Sequence, residues 1–219
     1  MGRLIVFEGV DGSGKSTQFK MICDRLQAEQ VSFQKIAFPQ YAEPSSALIK
    51  MYLSGEFGKN PEDVNVYAAS AFYAVDRFSS FVKIWREYYV AGGLILSDRY
   101  TTSNAIHQGS KLPENKRAEY FKWLYEFEFE LMKLPSPDTV IYLDVPADTA
   151  IERMRKREAE TNTNADIHEA DTAYLEKCCL CGRQAADFYN WTQIKSHDGK
   201  ELRDIEDIHR EIYNIVTKK

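Results

Sequence analysis

The stretch EGVDGSGKST, Glu8 to Thr17, decides the fold. Its spacing, from Gly9 through Gly14 and Lys15 to Ser16, satisfies G-x-x-x-x-G-K-[ST], a loop whose backbone N–H groups wrap the phosphates of a nucleotide. Working outward, Leu4 to Phe7 before it reads as a short buried strand and Gln18 to Leu26 after it as a helix. The glycines therefore fall at a strand-to-helix turn, where a helix N-terminus favours anions. A glycine-rich turn without a ligand is the competing reading, and the flanking strand and helix weigh against it.

Five apolar, β-branched or aromatic runs punctuate the chain: Leu4 to Phe7, Ser32 to Phe38, Leu94 to Ser97, Thr139 to Leu143 and Trp191 to Lys195. Helical patterns lie between them. The alternation predicts an α/β fold, a five-stranded parallel sheet covered by helices on both faces, with ligands outside the carboxyl ends of the strands. Function should then concentrate at Glu8 to Ser16, Pro39 to Tyr41, Asp98 to Tyr100, Asp144 to Pro146 and Ser196 to Gly199. Val64 to Val90 reads as one long helix with Tyr67, Ala71, Ala74 and Phe78 on one side. Glu114 to Leu131 also reads as helix: FEFE at Phe127 to Glu130 alternates like a strand, but Phe121, Leu124 and Leu131 keep the helical period. The two prolines in LPSPD, Leu134 to Asp138, end it.

With 219 residues, 44% of them hydrophobic, the expectation is one domain over residues 1–219 carrying an inserted flap. No apolar run approaches the roughly 20 residues a membrane span needs. A strand begins within four residues of the start, which speaks against a secretory leader, so a cytoplasmic protein without a membrane partner is expected. A net charge of −5 argues against a nucleic-acid partner and leaves room for a small anionic ligand held by local cations. Cys178, Cys179 and Cys181 include a C-x-x-C spacing, but zinc needs about four ligands and only His168 stands near. Reduced, structural cysteines on one helix are the expectation.

Three further segments point to the partner of the loop. In SDRYTTSNAIHQG, Ser97 to Gly109, Asp98 and Arg99 stand at the mouth of the third strand. Arg99 offers a planar fork of donors suited to phosphate, and Asp98 can hold it or orient a magnesium water. In AFYAVDR, Ala71 to Arg77, Tyr73 and Arg77 are four apart and share a helical face, suiting a flat base. In ERMRKR, Glu152 to Arg157, Arg153 and Arg157 share one face and Arg155 points elsewhere, a cationic cluster opening the polar stretch Glu158 to Asp166. Such a cluster on a movable segment can neutralise charge that spreads during phosphoryl transfer.

EGVDGSGKSTQ, FPQY, the helix ending AVDR, DRYTTSNAIHQG, LDVPADTAIERMRKR and the closing WTQIKS together resemble the thymidylate kinases, in that family's order, from about residue 3 to residue 215. The resemblance implies a homodimer, ATP and dTMP as substrates, Mg2+, and a lid at about 153–169. By position it implies ATP binding by Gly9, Val10, Asp11, Gly12, Ser13, Gly14, Lys15, Ser16 and Thr17, with Arg153 against adenine. Asp11 would also meet the 3′-hydroxyl of dTMP. Phe38 and Pro39 would shape the acceptor pocket, and Tyr41 and Arg99 would touch the acceptor phosphate. Tyr73 would stack on thymine, Arg77 and Asn104 would bond its edge, and Ser103, His107 and Gln108 would complete the site. The metal would meet Ser16 and Asp98, and Lys15, Arg99, Arg155 and Arg157 would be catalytic.

The sequence departs from the family at three places. Tyr73 stands where many members carry phenylalanine; His107 replaces an aromatic that helps exclude a ribose 2′-hydroxyl; and Gly12 occupies a position where some members carry a catalytic arginine, which moves that role to the lid. The rivals are a kinase for another deoxynucleoside monophosphate and a GTP-binding switch. The switch expects N-K-x-D after a strand, whereas the fourth strand runs into LDVP.

Overall fold

The computed structural model describes residues 1–161, 172–198 and 201–218, with the side chains of Pro61, 157–161 and Thr172 outside that description. Five strands, β1 Arg3–Glu8, β2 Gln34–Ala37, β3 Leu94–Asp98, β4 Thr139–Asp144 and β5 Thr192–Lys195, form one sheet in the order β2-β3-β1-β4-β5, every neighbour parallel. The helices are α1 Lys15–Ala28, α2 Ala47–Leu53, α3 Val66–Ser80, α4 Arg86–Val90, α5 Thr101–His107, α6 Glu114–Tyr125, α7 Ala147–Thr161, α8 Thr172–Phe188 and α9 Ile205–Thr217.

Successive strand residues point to opposite faces, and both faces are covered, which is why the strands read as unbroken apolar runs. Ile5, Phe7, Leu96, Ile141 and Leu143 pack on one side against Ile22 and Leu26 of α1 and Ile208, Ile212 and Val216 of α9. Leu4, Val6, Ile95 and Val140 face the other way, against Trp85, Tyr89 and Tyr100. α5 follows β3 onto that second side and packs on α8. β1 and β3 are thus neighbours whose outgoing helices lie on opposite faces, and such a divergence opens a crevice at the strands' carboxyl ends.

Two of the expected helices contain a wide turn. α3 runs through a π-helical segment, Phe81–Trp85, into α4, and α6 runs into a second, Glu126–Leu131. A π turn bonds i to i+5 and so adds a residue, rotating everything after it relative to the helical period. Leu131, expected on the buried face, is 68% exposed as a result. Along the expected apolar side of α3, Ala74 is buried and Ala71 half-buried, while Tyr67 and Phe78 are each 43% exposed. The buried side of α3 also carries Ser70, Asp76 and Arg77, whose polar groups all find partners there.

The three α8 cysteines, like Cys23 of α1, are buried free thiols. Burial pushes the Cys178 thiol up to about 12, Cys179 to about 11 and Cys181 to about 12, so they are poor nucleophiles and poor thiolate ligands. The segment 162–171, including His168 and the latter part of the expected lid, lies outside the described residues.

Candidate active site

The loop after β1 turns through glycines whose backbone no other residue adopts easily. Gly12 has φ of 79° and Gly14, the N-cap of α1, has φ of 88°; a side chain on Gly12 would also collide with the backbone of Ala150 in α7. The loop and the start of α1 line a cleft of about 320 Å³ bounded by Val10, Asp11, Gly12, Ser13, Gly14, Lys15, Ser16 and Thr17, with Arg153 and Arg203 at its sides. Gly9, with φ of 155°, packs behind, close to the Ser13 hydroxyl. Arg153 Nη1 lies 3.4 Å from the Gly12 carbonyl, so the root of α7 rests on the loop.

Lys15 is buried and paired with Asp98 at the end of β3. Burial, and then the neighbouring Arg99 charge, lower its pKa from the ordinary lysine value, while Asp98 and Glu8 act the other way.

A second cavity of about 260 Å³ opens beside the first, and Asp11 lines both. Its walls are Asp11, Phe38, Pro39, Tyr41, Leu53, Tyr73, Arg77, Arg99, Tyr100, Ser103, Asn104, His107 and Gln108. Arg99 sits at the junction with φ of 66°, a left-handed backbone that aims its guanidinium across the cleft mouth. Its Nη2 donates to Asp11 at 2.7 Å, and its Nη1 lies 3.0 Å from His107 Nε2 and 3.7 Å from Glu8. Burial works against the Arg99 charge, but the carboxylates of Asp11, Glu8 and Asp98 together outweigh it and hold its pKa above the ordinary arginine value.

Because a guanidinium only donates, His107 Nε2 must accept, which places the ring proton on Nδ1, 3.7 Å from Cys178 Sγ. His107 is thereby tied to Arg99. Gln108 Oε1 is buried against the cavity with no hydrogen-bond partner among the described residues.

Two carboxylates with no solvent exposure anchor this frame through the first turn of α5. Glu8 accepts from Thr102 Oγ1 at 2.6 Å, Ser103 Oγ at 2.7 Å and the Gly9 amide at 2.9 Å. Glu128, in the second π segment, accepts from Thr101 Oγ1 at 2.7 Å, Asn104 Nδ2 at 3.3 Å and the fork of Arg77, Nε at 2.7 Å and Nη2 at 2.5 Å. Asp76 of α3 fixes the opposite wall by accepting from the Gln40 amide at 2.8 Å and Ser45 Oγ at 2.6 Å.

The family model for thymidylate kinase matches residues 7–212. A thymidylate kinase of Mycobacterium tuberculosis is 34% identical over 179 residues, 80% of this chain and 81% of its own length. The chain belongs to the thymidylate kinase family. A Plasmodium falciparum thymidylate kinase is 28% identical over 221 residues, covering 99% of this chain and 90% of the relative. The solved thymidylate kinase of Candida albicans superposes with a TM-score of 0.71 at 19% identity, covering 98% of this chain and 91% of that one, and so shares the fold.

Within this thymidylate kinase fold, all eleven acceptor positions named from sequence line one cavity, and the loop positions with Arg153 surround the adjoining cleft. Ser16 and Asp98, the expected metal positions, stand at the start of α1 and the end of β3. Arg155 is exposed on α7, and the Arg157 side chain lies outside the described residues. Arg77 differs from expectation in being consumed on two nitrogens by Glu128.

Sequence reasoning included Glu8 in the segment after the first strand without giving it a role, and missed Glu128, Asp76 and Arg203. Glu128 carried a signal: it stands four residues after Leu124 and eight after Tyr120, an acid on an otherwise buried face. Arg203 lies just past the segment followed after β5.

Proposed function

We propose that the two clefts receive two nucleotides end to end, ATP along the loop Gly9–Thr17 and dTMP in the cavity under Arg99. The reaction is phosphorylation of dTMP to dTDP with ATP as phosphoryl donor. The observation that carries this reading is that Asp11 lines both clefts, so their contents meet at one shared wall beside Lys15 and Arg99.

The attacking group is a phosphate oxygen, anionic at neutral pH, so alignment and charge neutralisation do the work and no strong base is needed. Lys15 would leave Asp98 for the donor phosphates, and Arg99 would exchange part of its carboxylate shell for the acceptor phosphate. Tyr73 would cover the base, Phe38, Pro39 and Tyr41 would close the acceptor end, and Arg155 or Arg157 would approach from the lid at about 153–169. The Ser16 hydroxyl and Asp98 carboxylate are hard oxygen donors of the kind magnesium takes alongside phosphate oxygens, so the residues fit the ion. When bound, it supplies charge neutralisation and phosphate orientation.

The reading extends to a single domain over residues 1–219 and to a cytoplasmic homodimer. No helix among the described residues is long and apolar enough to cross a membrane. Tyr67, Val75, Phe78 and Val82 recur at helical intervals along α3 and its wide turn and are all more than 40% exposed, an apolar stripe suited to a second copy.

The test is a coupled assay with ATP and each monophosphate in turn. dTMP should give the highest kcat/KM. Equal use of dCMP or dGMP would make this a broader deoxynucleotide kinase, as broad substrate specificity is described for the Candida albicans enzyme; no dTDP from folded protein would overturn the reading.

A further inference from the structure

We propose that Glu128 is a positioning residue that fixes which hydrogen-bonding groups the acceptor cavity turns toward the base, and so makes the cavity select a base edge carrying an N–H donor beside a carbonyl. The inference rests on the reading of the cavity as the dTMP site.

The argument begins with what a carboxylate can do. Glu128 is fully buried and, as an ion, only accepts. Asn104 Nδ2 lies 3.3 Å from Glu128 Oε1 and 3.2 Å from the Ser70 carbonyl, two groups that cannot donate. Those two acceptors consume both amide hydrogens, so the amide cannot be turned the other way round. The Oδ1 of Asn104 accepts no hydrogen bond among the described residues, and Asn104 lines the cavity; what it offers a ligand is therefore an acceptor.

Arg77 is held by the same carboxylate. Its Nε and Nη2 bond the two oxygens of Glu128 in a fork, and its Nη1 is 3.3 Å from the Tyr100 carbonyl. Each terminal nitrogen carries two hydrogens, so donors remain at the edge of the guanidinium that lines the cavity. One charge thus dictates a fixed pair, an acceptor from Asn104 and a donor from Arg77.

That pair complements the edge of thymine, where the ring N–H donor adjoins a carbonyl acceptor. It opposes cytosine, whose corresponding edge presents a bare ring nitrogen and an amino donor. Buried polar groups left facing like partners are the strongest means a pocket has of rejecting an analogue. Thr101 Oγ1, at 2.7 Å, holds Glu128 itself in place.

Glu128→Gln tests this with little change of shape. The new amide places a donor at one of the two oxygen positions: at Oε1 it faces Arg77 Nη2 and Asn104, which is then free to rotate and offer Nδ2 to the cavity, and at Oε2 it faces Arg77 Nε, so either way the fixed pair is disturbed. With ATP and each of dTMP and dCMP, the wild-type preference for dTMP should fall at least about tenfold in kcat/KM, through a raised KM for dTMP, with KM for ATP unmoved. A variant that melts cooperatively yet keeps the wild-type preference within about twofold would overturn the proposal. Should the variant not fold, wild-type protein assayed with N3-methylated dTMP decides: at least about a tenfold loss supports the acceptor at Asn104, and use as ready as that of dTMP overturns it. Wild-type protein that makes no dTDP would instead count against the functional reading on which the proposal rests.

Discussion

Replacing Glu8 by Gln removes one buried charge and almost no volume, and the structure sets the size of the effect. At 2.6 and 2.7 Å, the hydroxyls of Thr102 and Ser103 sit at distances typical of charge-assisted hydrogen bonds. A bond to a charged group stabilises by about 1.5–3 kcal/mol and a neutral one by about 0.5–1.5 kcal/mol, so neutralising the acceptor costs roughly 1 kcal/mol per bond. Two further effects oppose each other: a neutral side chain is easier to bury, while Arg99, 3.7 Å away, keeps Asp11 but loses one of its carboxylates. Taking these as cancelling leaves about 2 kcal/mol, or about 4–8 °C in Tm for a chain of this size. Differential scanning calorimetry of wild type and Glu8→Gln measures it. A double-mutant cycle with Thr102→Val should return a coupling of about 1 kcal/mol. Melting within about 1 °C of wild type, or a coupling near zero, would refute the assignment of Glu8 as the anchor of the first turn of α5.

Other outcomes follow from the same contacts. Arg157→Ala should slow phosphoryl transfer by about 10³-fold while dTMP KM changes little, and Arg155→Ala should do so if that side chain is the one used; steady-state kinetics on both variants would show no loss in either if the lid cation were not catalytic. Lys111, whose Nζ meets the Tyr52 hydroxyl at 2.5 Å, is driven by burial from 10.5 to about 8, with Cys178 and Glu62 opposing. Between those values the unfolded chain binds the extra proton, so stability should rise with pH by up to about 3 kcal/mol relative to Lys111→Met. The raised thiols act oppositely above about pH 9 but are common to both proteins, so denaturant titrations at pH 7.5 and 10.5 isolate the lysine; a pH-independent difference would count against it. If the protein forms the proposed dimer, Phe78→Asp should convert it to monomer in sedimentation velocity; a wild type that sediments as a monomer would exclude the dimer, and an unchanged dimer mass for the variant would exclude the α3 stripe as the contact.

The fold was legible because a parallel sheet covered on both faces leaves unbroken apolar runs, and each of the five expected runs holds a strand. The phosphate loop was legible because glycine spacing and a strand-to-helix change constrain each other. What stayed hidden were the carboxylates behind the ligand-facing residues. Glu8 stood outside the G-x-x-x-x-G-K-[ST] pattern at the end of an apolar strand, and Glu128 sat in an FEFE run that alternates like a strand inside a helical pattern. The π segment Glu126–Leu131 hid something else: its added residue moves Leu131 outward, a shift that 3.6-residue reasoning cannot anticipate. The same reasoning put Tyr67 and Phe78 on one side of a helix and could go no further, because periodicity marks an apolar stripe without saying whether the chain itself covers it.

The first turn of α5 has a mechanical consequence. Four consecutive side chains divide their bonds between two ends of the cavity: Thr102 and Ser103 go to Glu8 beside Arg99, and Thr101 and Asn104 go to Glu128 beside Arg77. The distance between those ends is thus set by a single helical turn and acts as a ruler. A nucleotide seated at one end is measured at the other, so analogues with a shortened or stretched sugar should lose turnover even when their base is correct.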